Sequence, residues 1–473
     1  MSEENRKSPE LVIERVPWKS RIWVSAADGF VGVLQSLVGG GVLTYYFTEN
    51  RGLNPYYASI VWIIFMIWNA LNDPLYGYIT DRTKSRLGRR IPYIRYGAPL
   101  LAISYILCWI NWPGSHSQTL LFVELLVFLF FYDTFYTAVA SAIYVMPFEM
   151  AISNKARGTI LVWKIVFSLL GIIVPFIMPY LNPNQGYVNI LGYQIFHITL
   201  GIVVGLITFF STFFYKEKFS TQDQDQPSIW KALLYTFKNP AFWIFEVISF
   251  TVIYAQTGLM TGLQYYTAEL TDKVNLIPAY IAIAVGILGG LILLILQNER
   301  WGVKICMMLV LGCFSLGCFI ILFMGKTTIL TAIGFFGIGI GVAGGYFTLQ
   351  LQFGDVMDYD ESKTGLRREG MYAGVNSLIT KPAISIAQAV FLVIIKAFGY
   401  IENSPIPQSD RAEWGIIIGW MAIPAVLLLI CFVTMIFYPL AGKKWMETKK
   451  ELAAKRSDKE REYLEKHGFK YME

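Results

Sequence analysis

Asp73 is the first residue of this 473-residue sequence whose setting could do chemistry. It lies in Trp68-Asn69-Ala70-Leu71-Asn72-Asp73-Pro74-Leu75, inside an apolar run over 56–79 long enough to cross a bilayer. An ionised carboxylate at such depth costs several kcal/mol unless it binds a proton or pairs with a cation. On a helix, Asn69 (one turn earlier) and the adjacent Asn72 share its sector, so the three can offer oxygen ligands together. The plainer alternative is that Asp73 caps or pairs locally near the end of its helix. Lys381 poses the converse problem. It sits in mid-span with Asn376 and Ser377 one turn before it, and a buried ammonium there must find a carboxylate or polar partner. Snorkelling to an interface is disfavoured by the apolar run that follows it.

The elements that must position these residues follow from composition. The chain is 55% hydrophobic and only 15% charged, too few charges for an ordinary water-facing surface. Apolar runs near 22–48, 56–79, 94–112, 119–146, 158–181, 192–215, 241–268, 276–297, 303–324, 328–354, 370–399 and 413–439 predict twelve transmembrane helices. With both termini cytoplasmic, the external loops hold only Arg51, Lys273, Lys326 and Arg411, and nearly all other Lys and Arg fall inside, which fixes the orientation. The expected organisation is a cytoplasmic segment 1–21, a six-helix bundle 22–215, a polar linker 216–240, a second six-helix bundle 241–440 and a charged, solvated, partly helical tail 441–473. No cleavable signal pattern opens the chain. All five cysteines lie in apolar runs, where they read as small buried hydrophobes. His116, His197 and His467 cannot converge, and no Walker A sequence is present, so neither a catalytic or metal cluster nor an ATP-driven pump is expected. The net charge of +6 reflects insertion rules rather than nucleic-acid binding.

Three blocks carry a family resemblance. The first runs from Trp68-Asn69-Ala70-Leu71-Asn72-Asp73-Pro74 to Asp81-Arg82-Thr83 and Arg86-Leu87-Gly88-Arg89-Arg90. The second is Gly354-Asp355-Val356-Met357-Asp358-Tyr359, then Arg367-Arg368-Glu369-Gly370 and Lys381; the third is Pro147-Phe148-Glu149 with Lys155 and Arg157. Together they resemble the glycoside–pentoside–hexuronide:cation symporters (melibiose-permease-like) of the major facilitator superfamily. A faint repeat between the loop at Asp81–Arg90 and Asn298-Glu299-Arg300-Trp301-Gly302-Val303-Lys304 fits two matching halves with a cavity between them.

The resemblance implies an all-α membrane protein of the major facilitator fold that performs symport by alternating access in the cell membrane. The expected partners are a sugar, glycoside or uronide and the lipid bilayer, with no cofactor beyond a coupling ion and a functional monomer. It implies that Asp73, Asn69, Asn72 and Thr137 bind the coupling proton or Na+, Asp73 being the one carboxylate for a metal ion. The family's second carboxylate is replaced by Asn69, and a single titratable acid suits a proton better than sodium. Lys381 would lie between cation and substrate. Asp81, Arg82, Arg86, Arg89 and Arg90, with Asp358 and Arg367 in the second half, would form gating ion pairs or simply retain positive charge inside. The galactoside carboxylates do not carry over: their positions fall at Val33 and Ala140. Gln35, Asp133 and Ser141 could substitute, with Asn376 nearby and Tyr144 where the family stacks a Trp on the sugar. Asp28, Gln256, Gln264, Gln350 and Gln388 are further cavity candidates. The alternative substrate is a lysophospholipid-like amphiphile or other non-sugar solute; a polar cavity closed to lipid supports sugars, and a lateral apolar cleft supports amphiphiles.

Overall fold

Asn and Ser side chains start four of the long helices. Asn54 accepts the Tyr56 N–H at 2.9 Å, Ser117 that of Leu120 at 3.2 Å, Asn189 that of Gly192 at 2.7 Å and Ser409 that of Ala412 at 3.2 Å. Each satisfies a backbone donor that the first helical turn leaves without an intrahelical partner. The structure is a computed structural model that describes residues 12–112, 117–151, 154–181, 183, 189–217, 239–270, 273–364, 369–404, 406–466 and 469–470. In chain order come α1 (Trp18–Val38), α2 (Val42–Tyr45) running into a π-helical turn (Tyr46–Asn50), α3 (Pro55–Arg82), α4 (Ile91–Leu107), α5 (Gln118–Met150), α6 (Asn154–Leu181) and α7 (Ile190–Ser211). Then follow α8 (Pro240–Leu270), α9 (Ile277–Met324), α10 (Thr328–Tyr346), α11 (Thr348–Thr364), α12 (Glu369–Ala397), α13 (Asp410–Ile436) and α14 (Gly442–Lys466). Gly302, at φ 77° and ψ 162°, breaks α9 between the predicted spans 276–297 and 303–324.

Among the described residues, ten stretches are long and apolar enough to cross a membrane. The predicted spans 56–79 and 94–112 are helical but lie outside that set: α3 carries Asn69, Asn72 and Asp73, and α4 is 17 residues long. α3 nevertheless shows how this surface is built. Ile60, Ile63, Ile67, Leu71 and Leu75 form an exposed apolar stripe at helical spacing, while Asn69 and Asn72 are buried. Apolar outside and polar inside is the arrangement lipid demands. The helices before the linker pack mostly among themselves, α1 on α6 and α7, and α4 between α5 and α7. Those after it do likewise, α9 on α10 and α13, and α8 on α12 and α13. The two sets meet where α3 runs along α12, where α6 touches α8, and where α2 touches α8.

The last of these contacts needs a glycine. Gly41 adopts φ 87°, and a Cβ there would collide with Thr261 of α8. Gly41→Val is therefore expected to lower stability by roughly 2 kcal/mol, from backbone strain and a clash together. A thermal melt of the purified variant reads this directly, and an unchanged midpoint would refute the close approach.

The chain ends meet. Val12 and Ile13 pair in parallel with Phe469 and Lys470. The tail was expected to be solvated; it is helical, but docked. Lys449 pairs with Asp355 at 2.5 Å, and Arg456 pairs with Asp358 at 2.6 Å and Glu361 at 2.5 Å, all on α11. Asp355 also accepts from the Trp445 indole at 3.3 Å. Most of the predicted linker, 218–238, lies outside the described residues.

Candidate functional site

The long contact of α3 with α12 places Asp73 against Lys381. Lys381 Nζ lies 2.6 Å from Asp73 Oδ1, and Ser377 donates to Oδ2 at 2.6 Å. Ser377 and Lys381 are one turn apart, so a single face of α12 serves both carboxylate oxygens. Neither ionic group is far from solvent, at 19% and 29% exposure. The pair joins the two sets of helices. The Asp73 carboxylate thus has its charge balanced by the Lys381 ammonium.

A second layer lies behind Asp73. Asn72 Nδ2 donates to Asp133 Oδ2 at 2.7 Å and to the Asp133 carbonyl at 3.1 Å. Asp133, a substrate candidate from sequence, is buried and turned to the coupling candidates. A cavity of about 10 Å³ lies beside it, lined by Asn69, Asp133, Gln35, Tyr132 and Trp62 among others, room for about one water-sized particle. Tyr132 donates to Gln35 at 3.3 Å. Asn72 Oδ1 and Thr137 Oγ1 are buried without a hydrogen-bond partner among the described residues. These are oxygen atoms of the kind that a small cation or hydronium would coordinate. Asn69 and Asn72 are therefore drawn together with Asp133, with Thr137 one turn further along α5, whereas the oxygens of Asp73 itself are occupied by Lys381 and Ser377.

The larger cavity, of about 180 Å³, lies between the two sets of helices and is lined by Gln35, Ser36, Gln256, Thr257, Met260 and Tyr346 among others. Gln35 borders both cavities. Gln264 donates to the Pro175 carbonyl at 3.1 Å and Gln388 to that of Gly39 at 2.8 Å, so each ties the two sets together. Gln350 is exposed. Val33 is buried, as an apolar replacement at that position should be. A carboxylate nevertheless reaches the interior from α1. Asp28 pairs with Lys164 of α6 at 3.1 Å, and Lys164 Nζ lies 5.6 Å from the ring centre of Tyr144, which is itself exposed. Sequence reading had Asp28 and Tyr144 as separate candidates and missed Lys164. An ammonium within an apolar span was the signal.

The gating residues sort differently. Arg89 Nη2 pairs with Glu149 Oε1 at 2.7 Å; burial pushes the Glu149 carboxyl up and Arg89 partly offsets this. Arg90 donates to Thr80. Glu217, just after α7, accepts the backbone N–H groups of Arg89 and Arg90 at 2.7 Å and of Ile91 at 2.9 Å. Gly88 makes room for that carboxylate, for its φ is 108° and a Cβ would strike it. Arg86 is exposed. Asp358 meets Arg456 of α14. Arg367 and the side chains of Asp81 and Arg82 lie outside the described residues.

Among the described residues, further contacts between the two sets lie along α2 and the π-helical turn that follows it. Thr44 donates to Gln388, Thr48 and Tyr265 hydroxyls lie 2.7 Å apart, and the Asn403 N–H donates to buried Glu49 at 3.1 Å. Trp62 braces Thr44 at 2.9 Å. Sequence reading did not assemble these contacts, because Thr44, Thr48, Tyr265 and Gln388 are neutral residues within apolar helices and Glu49 and Asn403 meet only through the fold.

The chain as a whole is similar to known transporters. The chain is 25% identical to the uncharacterized symporter YnaJ of Bacillus subtilis (strain 168), an alignment covering 93% of this chain and 96% of that protein. It is 22% identical to the glucuronide carrier protein homolog of Escherichia coli (strain K12), over 92% and 95% respectively. Against the isoprimeverose transporter of Lactiplantibacillus pentosus it is 24% identical, over 91% of each. The fold is shared with the inward-facing bacterial homolog of the human lysosomal transporter Spinster, at a TM-score of 0.60 and 14% identity, covering 90% of this chain and 98% of that one. The nucleoside transporter NupG matches at a TM-score of 0.57 and 14% identity, covering 87% and 99%. With the family model described as MFS/sugar transport protein matching residues 31–442, this multi-pass membrane protein belongs to that family, and it is a transporter rather than an enzyme.

Proposed function

We propose that this chain is a proton-coupled symporter of a sugar, glycoside or uronide that works by alternating access between two six-helix bundles, twelve membrane helices in all, with both termini in the cytoplasm. The observation that carries the reading is the Asp73–Lys381–Ser377 cluster joining α3 to α12. A proton arriving at Asp73 neutralises the carboxylate and releases the ammonium, so loading one helix changes its hold on another. Sodium at Asp73 would have to compete with Lys381 and Ser377 for the same two oxygens, with Asn69 adding no charge. Asp133 belongs with Asn69, Asn72 and Thr137 in the coupling set. The ties along α2 and the π-helical turn fit an inward-facing state, closed on the external side.

The substrate class rests on the family match, since the wall of the larger cavity mixes polar groups with the apolar Ile253, Met260, Val342 and Ile384. Gln35, Ser36, Gln256 and Thr257 present neutral donors and acceptors there, the equipment for sugar hydroxyls. Lys164, held by Asp28 beside the Tyr144 ring, is placed to meet a ring hydroxyl or a uronide carboxylate. Uptake into proteoliposomes tests the reading, with a panel of hexuronides, pentosides, hexosides and one lysophospholipid, driven by a pH or a sodium gradient. Accumulation of a glycoside or uronide with the pH gradient is the expected result. Uptake of the lysophospholipid alone would overturn the substrate class.

Asn69→Asp restores a second carboxylate one turn from Asp73 and should introduce sodium stimulation of at least severalfold. A wild type already driven by sodium and indifferent to pH would refute the choice of proton.

A further inference from the structure

Glu246 lies in the apolar run Phe242-Trp243-Ile244-Phe245-Glu246-Val247 of α8 and is 2% exposed. No Lys, Arg or His lies within ion-pairing distance of it among the described residues. Its polar neighbour is Asn376 of α12. One polar atom of that amide lies 3.2 Å from both carboxyl oxygens and 3.3 Å from the Ser249 hydroxyl.

Among the described residues, the surrounding elements supply no counter-charge at ion-pairing distance, and Lys381 of α12 is held by Asp73. From α13, Cys431 donates to the Val247 carbonyl at 3.8 Å. From α12, Tyr372 accepts from Asn239 at 3.2 Å. On α11, Asp355 and Asp358 are held by Lys449 and Arg456 of the tail. On α6, Lys164 is held by Asp28; α10 and α2 bring Tyr346 and Tyr45, neither a cation. An ionised carboxylate facing only a neutral amide and a hydroxyl would be left with most of its desolvation cost. The same heavy-atom positions also accommodate a neutral acid, in which one Glu246 oxygen donates its O–H to the Asn376 oxygen.

We propose that Glu246 is a second proton-binding site of this transporter, separate from Asp73 and linked to it by α12. That helix presents Asn376 to Glu246 and, one residue later, Ser377 to Asp73, with Lys381 a turn beyond. Binding takes one proton from solvent onto a carboxylate oxygen, and no other bond forms or breaks. It reverses the hydrogen bond to Asn376, whose amide donates to the carboxylate but accepts from the acid. α12 therefore senses protons on both sides.

The site is independent of which solute is carried, so its test uses the full-length protein in liposomes without substrate. Infrared difference spectra across a pH step should show the carbonyl band of a protonated carboxylic acid near neutral pH. The band is expected to vanish in Glu246→Gln and to persist in Asp73→Asn. Asn376→Ala, which removes the partner and keeps the acid, should displace it. A Glu246→Gln spectrum equal to wild type overturns the proposal. Should that variant fail to fold, a band unmoved in Asn376→Ala does the same. Failure of the symport reading would leave these bands untouched, so the two are separable.

Discussion

Asp73→Asn is expected to abolish uphill accumulation while leaving downhill exchange. With one proton per solute, a one-unit pH gradient supports about tenfold accumulation, and the variant should bring the internal concentration down to the external one. The reason is local. Asp73 is the acid whose two oxygens hold Lys381 and Ser377 across the contact between the two sets of helices. An amide of the same shape keeps a bond to Ser377 but can neither take up a proton nor balance the ammonium. Binding and isomerisation survive in such a variant, because the cavity wall of Gln35, Ser36, Gln256 and Thr257 is untouched. The measurement is counterflow beside gradient-driven uptake in the same proteoliposomes. Tenfold accumulation by the variant would remove Asp73 from the coupling mechanism.

The helices and the central acid were legible because the bilayer makes simple demands on sequence. Apolar runs must be long, and a charge inside one must be explained, which singled out Asp73 and Lys381 before any geometry was known. Their mutual contact depends on α3 and α12 lying side by side, which no local pattern encodes. Asp133 shows the limit. Its helix was placed correctly, but the direction of its side chain depends on Asn72 from another helix, and no local pattern encodes that rotation. The Asp28–Lys164 pair escaped for the same reason, with its partners 136 positions apart along the chain. Tail docking was missed because a Lys/Glu-rich helix reads as solvated unless the acids on α11 that receive it are considered with it. Glu246 was legible in principle. A lone acid among Phe, Trp and Ile meets the same criterion that selected Asp73, but it lacked a motif to draw attention to it.

Lys381→Met should also end gradient coupling, and its stability carries the sharper test. Removing the ammonium leaves an intramembrane carboxylate with Ser377 in place of its ion-pair partner; Asp73→Asn leaves an ammonium stranded instead. Breaking one side of a fully buried pair costs about 3–5 kcal/mol. This pair, at 19% and 29% exposure, should lose roughly 2 kcal/mol in either single variant. Removing both partners removes the uncompensated charge, so the double variant should be no less stable than either single one. The thermal midpoints of the three purified proteins therefore form a double-mutant cycle whose interaction energy reports the pair alone. Gradient-driven accumulation measured beside it should be equally absent in all three, because coupling needs a titrating acid and a cation that responds to it. A double variant destabilised by the sum of the two single effects would show that Asp73 and Lys381 act independently, and the charge-exchange mechanism would fall with that result.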